Sequence, residues 1–129
     1  MSKTEYVLDA SFIVDHLRGN ERVTKFRHII SQSSCFISAI TWAEVVSKFE
    51  RAEGLGKKAD DEMVHLGELQ PIGRFSAQSA ALLHAQMRLK RPKFSLGDAF
   101  VLTLARERKC TLLTADNDFA GLPEAKVFR

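Results

Sequence analysis

The sequence predicts an α/β fold, with helices covering both faces of a mostly parallel sheet, and three observations carry that expectation. Short apolar runs alternate with helical-period patterns from end to end. The run TLLT is a buried strand of the kind that parallel sheets contain. Finally, 129 residues with 45% hydrophobic content suit one compact core, so residues 1–129 are expected to form a single domain.

Glu5 to Leu8 (EYVL) is the first short apolar strand. It runs into Asp9-Ala10-Ser11 and then the helical pattern Phe12, Ile13, His16, Leu17, which Gly19-Asn20 stops. A second helix is expected over Glu21 to Ile30, followed by the polar patch Ser31 to Ser34 and a strand over Cys35 to Ser38. In Thr41 to Glu53, residues Trp42, Val45, Val46 and Phe49 recur at i, i+3, i+4 and i+7, which makes one apolar face, either core or a dimer surface. Gly54 and Gly56 interrupt before a helix near Lys57 to Leu69, and Gln70-Pro71-Ile72 allows a short strand with proline at its start or edge. Ser76 to Lys90 is alanine-rich and helical, and Pro92 prevents its extension. The most apolar helix covers Leu96 to Lys109, Thr111 to Thr114 is a strand, and Lys126 to Phe128 is a last short one.

Composition narrows the function. No stretch reaches the ~18 apolar residues of a membrane helix and nothing near the start reads as a signal peptide, so a soluble, cytoplasmic protein with no membrane partner is expected. Cys35 and Cys110 lack CxxC spacing and a neighbouring histidine, so both read as reduced packing residues. The net charge is only +3. If four carboxylates gather in one metal-neutralised site, however, 19 basic residues face the remaining 12 acidic ones, an acidic hole in a basic body that suits a phosphate backbone.

Candidate acids occupy one rim. Ligands of an open parallel sheet bind beyond the carboxyl ends of its strands. Asp9 follows the first strand, Glu44 lies just past the turn after the second, and Asp116 sits two residues beyond TLLT. Asp98 opens the long apolar helix that feeds that strand. Uncompensated, such a cluster repels itself and takes up protons, whereas a hard divalent cation accepts the oxygens; magnesium or manganese is the natural occupant. The scattered His16, His28, His65 and His84 give no zinc spacing. A structural reading competes at every position. Thr41-x-x-Glu44 and Ser95-x-x-Asp98 match capping boxes, Asp9 could cap the first helix, and Asp116-Asn117-Asp118 could be turn chemistry.

Four segments in this order, YVLDASFIVDHLRG, ISAITWAEVV, FSLGDAFVLTLA and LLTADNDFAGL, resemble the PIN domain, and within it the VapC-like toxins of toxin/antitoxin pairs. The resemblance spans essentially the whole chain. It implies a three-layer α/β/α sandwich and an endoribonuclease dependent on Mg2+ or Mn2+ that leaves 5′-phosphate and 3′-hydroxyl ends. The family's catalytic acids fall on Asp9, Glu44, Asp98 and Asp116. Asp9, Asp98 and Asp116 would ligate metal, with Glu44 and Asp118 auxiliary, because the family's T-x-D pattern picks Asp116 over Asp118. Ser11 and Thr114 match hydroxyl positions that could orient a carboxylate or a water, or else cap and turn. The resemblance further implies a homodimer and a small antitoxin whose C-terminal segment enters the acidic site.

The cations Arg88, Lys90, Arg91 and Lys93 either steer RNA phosphates toward the metal or are a solvated helix end. A haloacid-dehalogenase-type phosphatase needs a second acid where this chain has Ser11. A phospho-receiver domain needs an acidic pair and a late lysine that are absent. A non-catalytic RNA- or partner-binding protein of the same fold is the alternative of a different class.

Overall fold

The structure, a computed structural model, describes residues 4–24 and 26–128, with Ile29 described by its backbone alone. Five strands are ordered along the chain: β1 (Glu5–Leu8), β2 (Ser34–Ser38), β3 (Glu68–Gln70), β4 (Thr111–Thr114) and β5 (Ala125–Val127). They form one sheet in the order β3-β2-β1-β4-β5, with every pairing parallel. The helices are α1 (Ala10–Leu17), α2 (Glu21–Thr24), α3 (Arg27–Ser31), α4 (Ala39–Glu53), α5 (Gly56–Leu66), α6 (Arg74–Met87) and α7 (Leu96–Arg108), with a short 3-10 turn at Asn117–Phe119.

Alternation along the strands produces two cores. Val7, Phe36 and Leu112 point to one face and pack with Phe94, Ala99 and Leu102, at the start of α7 and along it. Leu8, Ile37 and Leu113 point to the other face, where Phe12 and Ile13 of α1, Val45 and Phe49 of α4 and Met63 of α5 cover them. The result is the expected three-layer sandwich, its sheet parallel throughout the described strands. Val45 and Phe49 are core rather than a dimer surface, with Trp42 and Val46 packed against them at the edge of that core.

Several boundaries differ from the sequence reading. The second helix is two short ones, because Phe26 closes a tight turn onto the Val23 carbonyl (3.0 Å); Lys25, within the expected span, lies outside the described residues. Helix α4 starts at Ala39, two residues early, with Ser38 as its N-cap. The strand expected at 70–72 lies at Glu68–Gln70 instead. Gly67 explains the shift: a Cβ there would stand 2.9 Å from the Cys35 carbonyl oxygen, so this backbone enters the sheet against β2 at once, ending α5 at Leu66. Pro71, lacking an N–H, stops the strand from continuing. Helix α6 ends at Met87, and the segment 88–91 turns back with the Arg91 N–H on the Met87 carbonyl (2.8 Å).

The strand order also fixes where a site can form. From β1 the chain steps outward through β2 to β3, then returns to lay β4 on the opposite side of β1. The crossover direction reverses between β1 and β4, and a crevice opens beyond their carboxyl ends at such a switch point. Asp9 and the segment Thr114-Ala115-Asp116 leave those two strands side by side.

Candidate metal centre

At the switch point, the Asp9 N–H continues the ladder by donating to the Leu113 carbonyl (3.0 Å), which sets the Asp9 side chain beside the end of β4. Asp9 is buried, and two hydroxyls hold one of its oxygens: Ser11 Oγ donates to Oδ2 at 2.7 Å and Thr114 Oγ1 donates to it at 2.8 Å. Each hydroxyl has a single hydrogen, already committed to Asp9, so both turn their lone pairs to backbone N–H groups. Ser11 accepts from Ala115 (3.0 Å) and Thr114 from Asp116 (3.0 Å). Ser11 and Thr114 therefore stitch the first strand's acid to the turn that follows the fourth strand. Asp9 is the N-cap residue of α1, yet its carboxylate makes no capping hydrogen bond.

Asp98 realises the capping box read from the sequence. Its N–H donates to Ser95 Oγ (3.0 Å), and its Oδ2 accepts from the Ser95 N–H (2.8 Å). Burial, with further contributions from the charges of Asp9 and Asp116, pushes its carboxyl up to about 6 against these hydrogen bonds. Burial likewise raises Asp9, helped by Asp116 and opposed by Ser11 and Thr114.

Glu44 departs from its capping-box reading. Because α4 begins at Ala39, Glu44 lies in the second turn rather than at N3, and its carboxylate turns across to α7. There it covers Gly97: a Cβ on that residue would stand 2.8 and 3.0 Å from the two Glu44 carboxylate oxygens. Only glycine leaves room for the carboxylate next to Asp98. Partial burial and the charge of Asp9 raise its pKa.

The fourth strand's turn brings two more acids. Asp116 Oδ1 accepts from the Asp118 N–H at 2.8 Å. This Asx turn caps the 3-10 turn and folds Asp118 back. One carboxylate oxygen from each of Asp98, Asp116 and Asp118 lies within 4.8 Å of the others, with no histidine or cysteine in the group. Among the described residues, none of the five acids at this rim belongs to an ion pair. A cluster of hard carboxylate oxygens with no ion-paired cation among the described residues, and with the Asp98 carboxyl raised to about 6, fits a divalent cation such as Mg2+ or Mn2+.

All five acids read from the sequence lie at this rim, but the structure groups them differently. Asp118, ranked auxiliary, joins Asp98 and Asp116 in the three-oxygen group, whereas Asp9 and Glu44 stand outside it. Arg91, read as either a phosphate contact or part of a solvated helix end, is half-buried and forks onto the same turn: its Nη1 and Nη2 donate to the carbonyls of Asp118 (2.7 Å) and Ala120 (2.9 Å). Arg88, Lys90 and Lys93 remain exposed beside it. The cues missed were Lys48 and Arg51, at i+4 and i+7 from Glu44, which line with it a cleft between α1 and α4.

Comparison with known proteins agrees with this fold. The model of the PIN domain family matches residues 6–125. No curated protein matches the sequence. Among solved structures, similarity extends to a toxin-antitoxin complex from Klebsiella pneumoniae, at 21% identity over 95% of this chain and 96% of that one, with a TM-score of 0.76. It extends also to VapC20 of Mycobacterium tuberculosis, a sarcin-ricin loop cleaving toxin, at 14% identity over 96% and 99%, with a TM-score of 0.79. VapBC2 from Rickettsia felis, bound to a DNA fragment from its promoter, matches at 14% identity over 98% and 100%, with a TM-score of 0.77.

Proposed function

This chain belongs to the PIN domain family, and from that premise we propose that it is a metal-dependent endoribonuclease, the toxin of a toxin/antitoxin pair. The observation that carries the proposal is the group of Asp98, Asp116 and Asp118 oxygens within 4.8 Å of one another at the β1/β4 switch point. A divalent cation supplies, when bound there, charge that lowers the pKa of water and stabilises a phosphoryl group under in-line attack.

The side chains divide the remaining work. Asp98, Asp116 and Asp118 hold the cation; the Ser95 capping bond fixes Asp98, and the Asx turn fixes Asp116 and Asp118. Asp9, held by Ser11 and Thr114, adds fixed negative charge beside them and orients water. Glu44 accepts a proton from the attacking water, a role suited to a carboxyl with a raised pKa at the edge of the cluster. The products carry 5′-phosphate and 3′-hydroxyl ends.

The partners follow the same reading. A small antitoxin inserts a C-terminal segment into the acidic rim, where an arginine replaces the cation's charge; one similar structure is itself a toxin-antitoxin complex. A second copy of the chain covers Phe75 and Leu82 of α6, which are 75% and 67% exposed. Large apolar side chains left open along one helix are the kind of surface that another chain buries. No described helix is long and apolar enough to cross a membrane.

The test is cleavage of RNA by pure protein. Mn2+ or Mg2+ is expected to support cleavage and EDTA to abolish it, with Asp98→Asn lowering the rate by about a hundredfold or more. Retention of the parent rate by Asp98→Asn, or cleavage unaffected by EDTA, would sink the proposal.

A further inference from the structure

We propose that the cleft between α1 and α4 is a nucleotide subsite: it seats one nucleotide of a single-stranded RNA next to the cleaved phosphate, with the neighbouring phosphates on Lys48 and Arg51. The inference rests on the ribonuclease reading of the acidic rim and extends it along the molecule's flank.

The cleft has a volume of about 490 Å³. That is within the range of small-ligand sites. Its two ends differ in charge. Ser11 and Glu44 border it at the acidic rim, and Lys48 and Arg51 border it farther down α4, with Val14 and Ile40 supplying apolar surface between the helices. Glu44, Lys48 and Arg51 fall at i, i+4 and i+7, so they share one helix face, and the two cations lie about 6 and about 10 Å along the axis from Glu44. An acid for a metal, apolar walls from Val14 and Ile40 for a base and two cations for phosphate give one groove the three chemistries that a nucleotide presents.

The local pairing supports a ligand rather than a structural role. Glu44 followed by Lys48 is the favourable order for a helical ion pair. That pair does not form, because the Glu44 carboxylate is turned onto Gly97. Among the described residues, Lys48 and Arg51 belong to no ion pair, and both are exposed. Arg51 Nε donates to Ser47 Oγ (3.2 Å), which ties the guanidinium to the cleft wall and leaves its outer N–H groups for an acceptor. Two cations and a carboxylate without ion pairs among the described residues thus line one groove.

The experiment measures binding in EDTA, where no cleavage occurs, using a fluorescein-labelled single-stranded RNA 12-mer and anisotropy across KCl concentrations. Neutralising two phosphate contacts is expected to make the plot of log affinity against log salt shallower by about 1.4 in Lys48→Ala/Arg51→Ala. At about 100 mM salt, the dissociation constant should rise about 25-fold. Lys57→Ala/Lys58→Ala, which removes a basic pair from α5, should keep the parent slope. Ala43→Phe, which fills the cleft, should weaken binding at every salt concentration without changing the slope. An unchanged slope in Lys48→Ala/Arg51→Ala, or an equal loss in the Lys57/Lys58 control, overturns the subsite. So does a change in sedimenting mass with RNA binding intact, which would make the cleft an interface between copies. Mn2+ binding by the parent and each variant is measured separately: a parent that binds no metal refutes the nuclease reading, whereas a metal-binding parent with an unaltered slope refutes only the subsite.

Discussion

At the scale of single residues, the rim is organised by small side chains as much as by acids. Ser11 and Thr114 each use one hydrogen on Asp9 and accept from a backbone N–H one or two residues along β4's exit, so two hydroxyls hold an otherwise costly buried carboxylate. Gly97 matters for a different reason. Its missing Cβ is the space the Glu44 carboxylate fills: a Cβ there would lie 2.8 to 3.1 Å from the carboxylate atoms. A methyl group there meets only the end of a flexible side chain, so the fold can give way by letting Glu44 swing out. Gly97→Ala is expected to shift Tm by no more than about 4 °C, the equivalent of about 1 kcal/mol in a chain of this size. The same variant should lose about a hundredfold in metal-dependent cleavage, since displacement of about an ångström costs that much. Adding Glu44→Gln should then cost little more; full additivity of the two rate losses would place Gly97 outside Glu44's role. Nothing in LGDAF announces this contact. The spacing between Glu44 and Asp98 in sequence says nothing about which carboxylate lies over which backbone.

At the scale of elements, caps and turns aim the acids. The Ser95–Asp98 box was legible because its pattern is local, and the structure makes both of its hydrogen bonds. The Thr41–Glu44 box was equally legible and did not form. Helix α4 follows β2 directly, with Ser38 both the last residue of the strand and the N-cap position though its side chain makes no capping hydrogen bond, so the helix starts two residues sooner and carries Glu44 into its second turn. The strand at Glu68–Gln70 was misplaced for a related cause, a close approach at Gly67 that depends on β2. Arg91 belongs to the basic run that the sequence left as either phosphate contacts or a solvated helix end, and in the structure it is turned onto backbone. Its guanidinium fork holds the carbonyls of Asp118 and Ala120, so it steadies the turn that bears two of the three clustered carboxylates. Arg91→Ala is expected to weaken Mn2+ binding about tenfold, the cost typical of losing a supporting contact behind a metal ligand. Calorimetry reads that loss, and the salt slope of RNA binding should stay at the parent value. A flattened slope with unaltered Mn2+ affinity would return Arg91 to the phosphate contacts read from the sequence.

At the scale of the whole molecule, a parallel sheet with its reversal between β1 and β4 collects acids that lie more than a hundred residues apart, from Asp9 to Asp116 and Asp118. Alternation of apolar runs made that fold legible, and the carboxyl-end rule made its rim legible. Membership of the three-oxygen group was not, because it depends on a turn closed by Asp116 and held by a distant arginine. The cluster also sets a pH response. Asp98 is raised from 3.8 to about 6 in the fold, so the folded chain binds its proton more tightly than the unfolded one does. The metal-free protein therefore gains stability from this group as pH falls through about 6 toward 4, and loses it as pH rises. Cation binding needs the carboxylate and runs the other way. The most direct measurement is isothermal titration of Mn2+ into the metal-free protein near neutral pH and again about one unit below the Asp98 value. The parent is expected to bind at neutral pH and to weaken by about tenfold at the lower one, with Asp98→Asn and Asp118→Asn each weakening neutral-pH binding by about tenfold or more. A parent that binds no Mn2+ at neutral pH, or binding that neither substitution weakens, would contradict a metal centre built from these carboxylates.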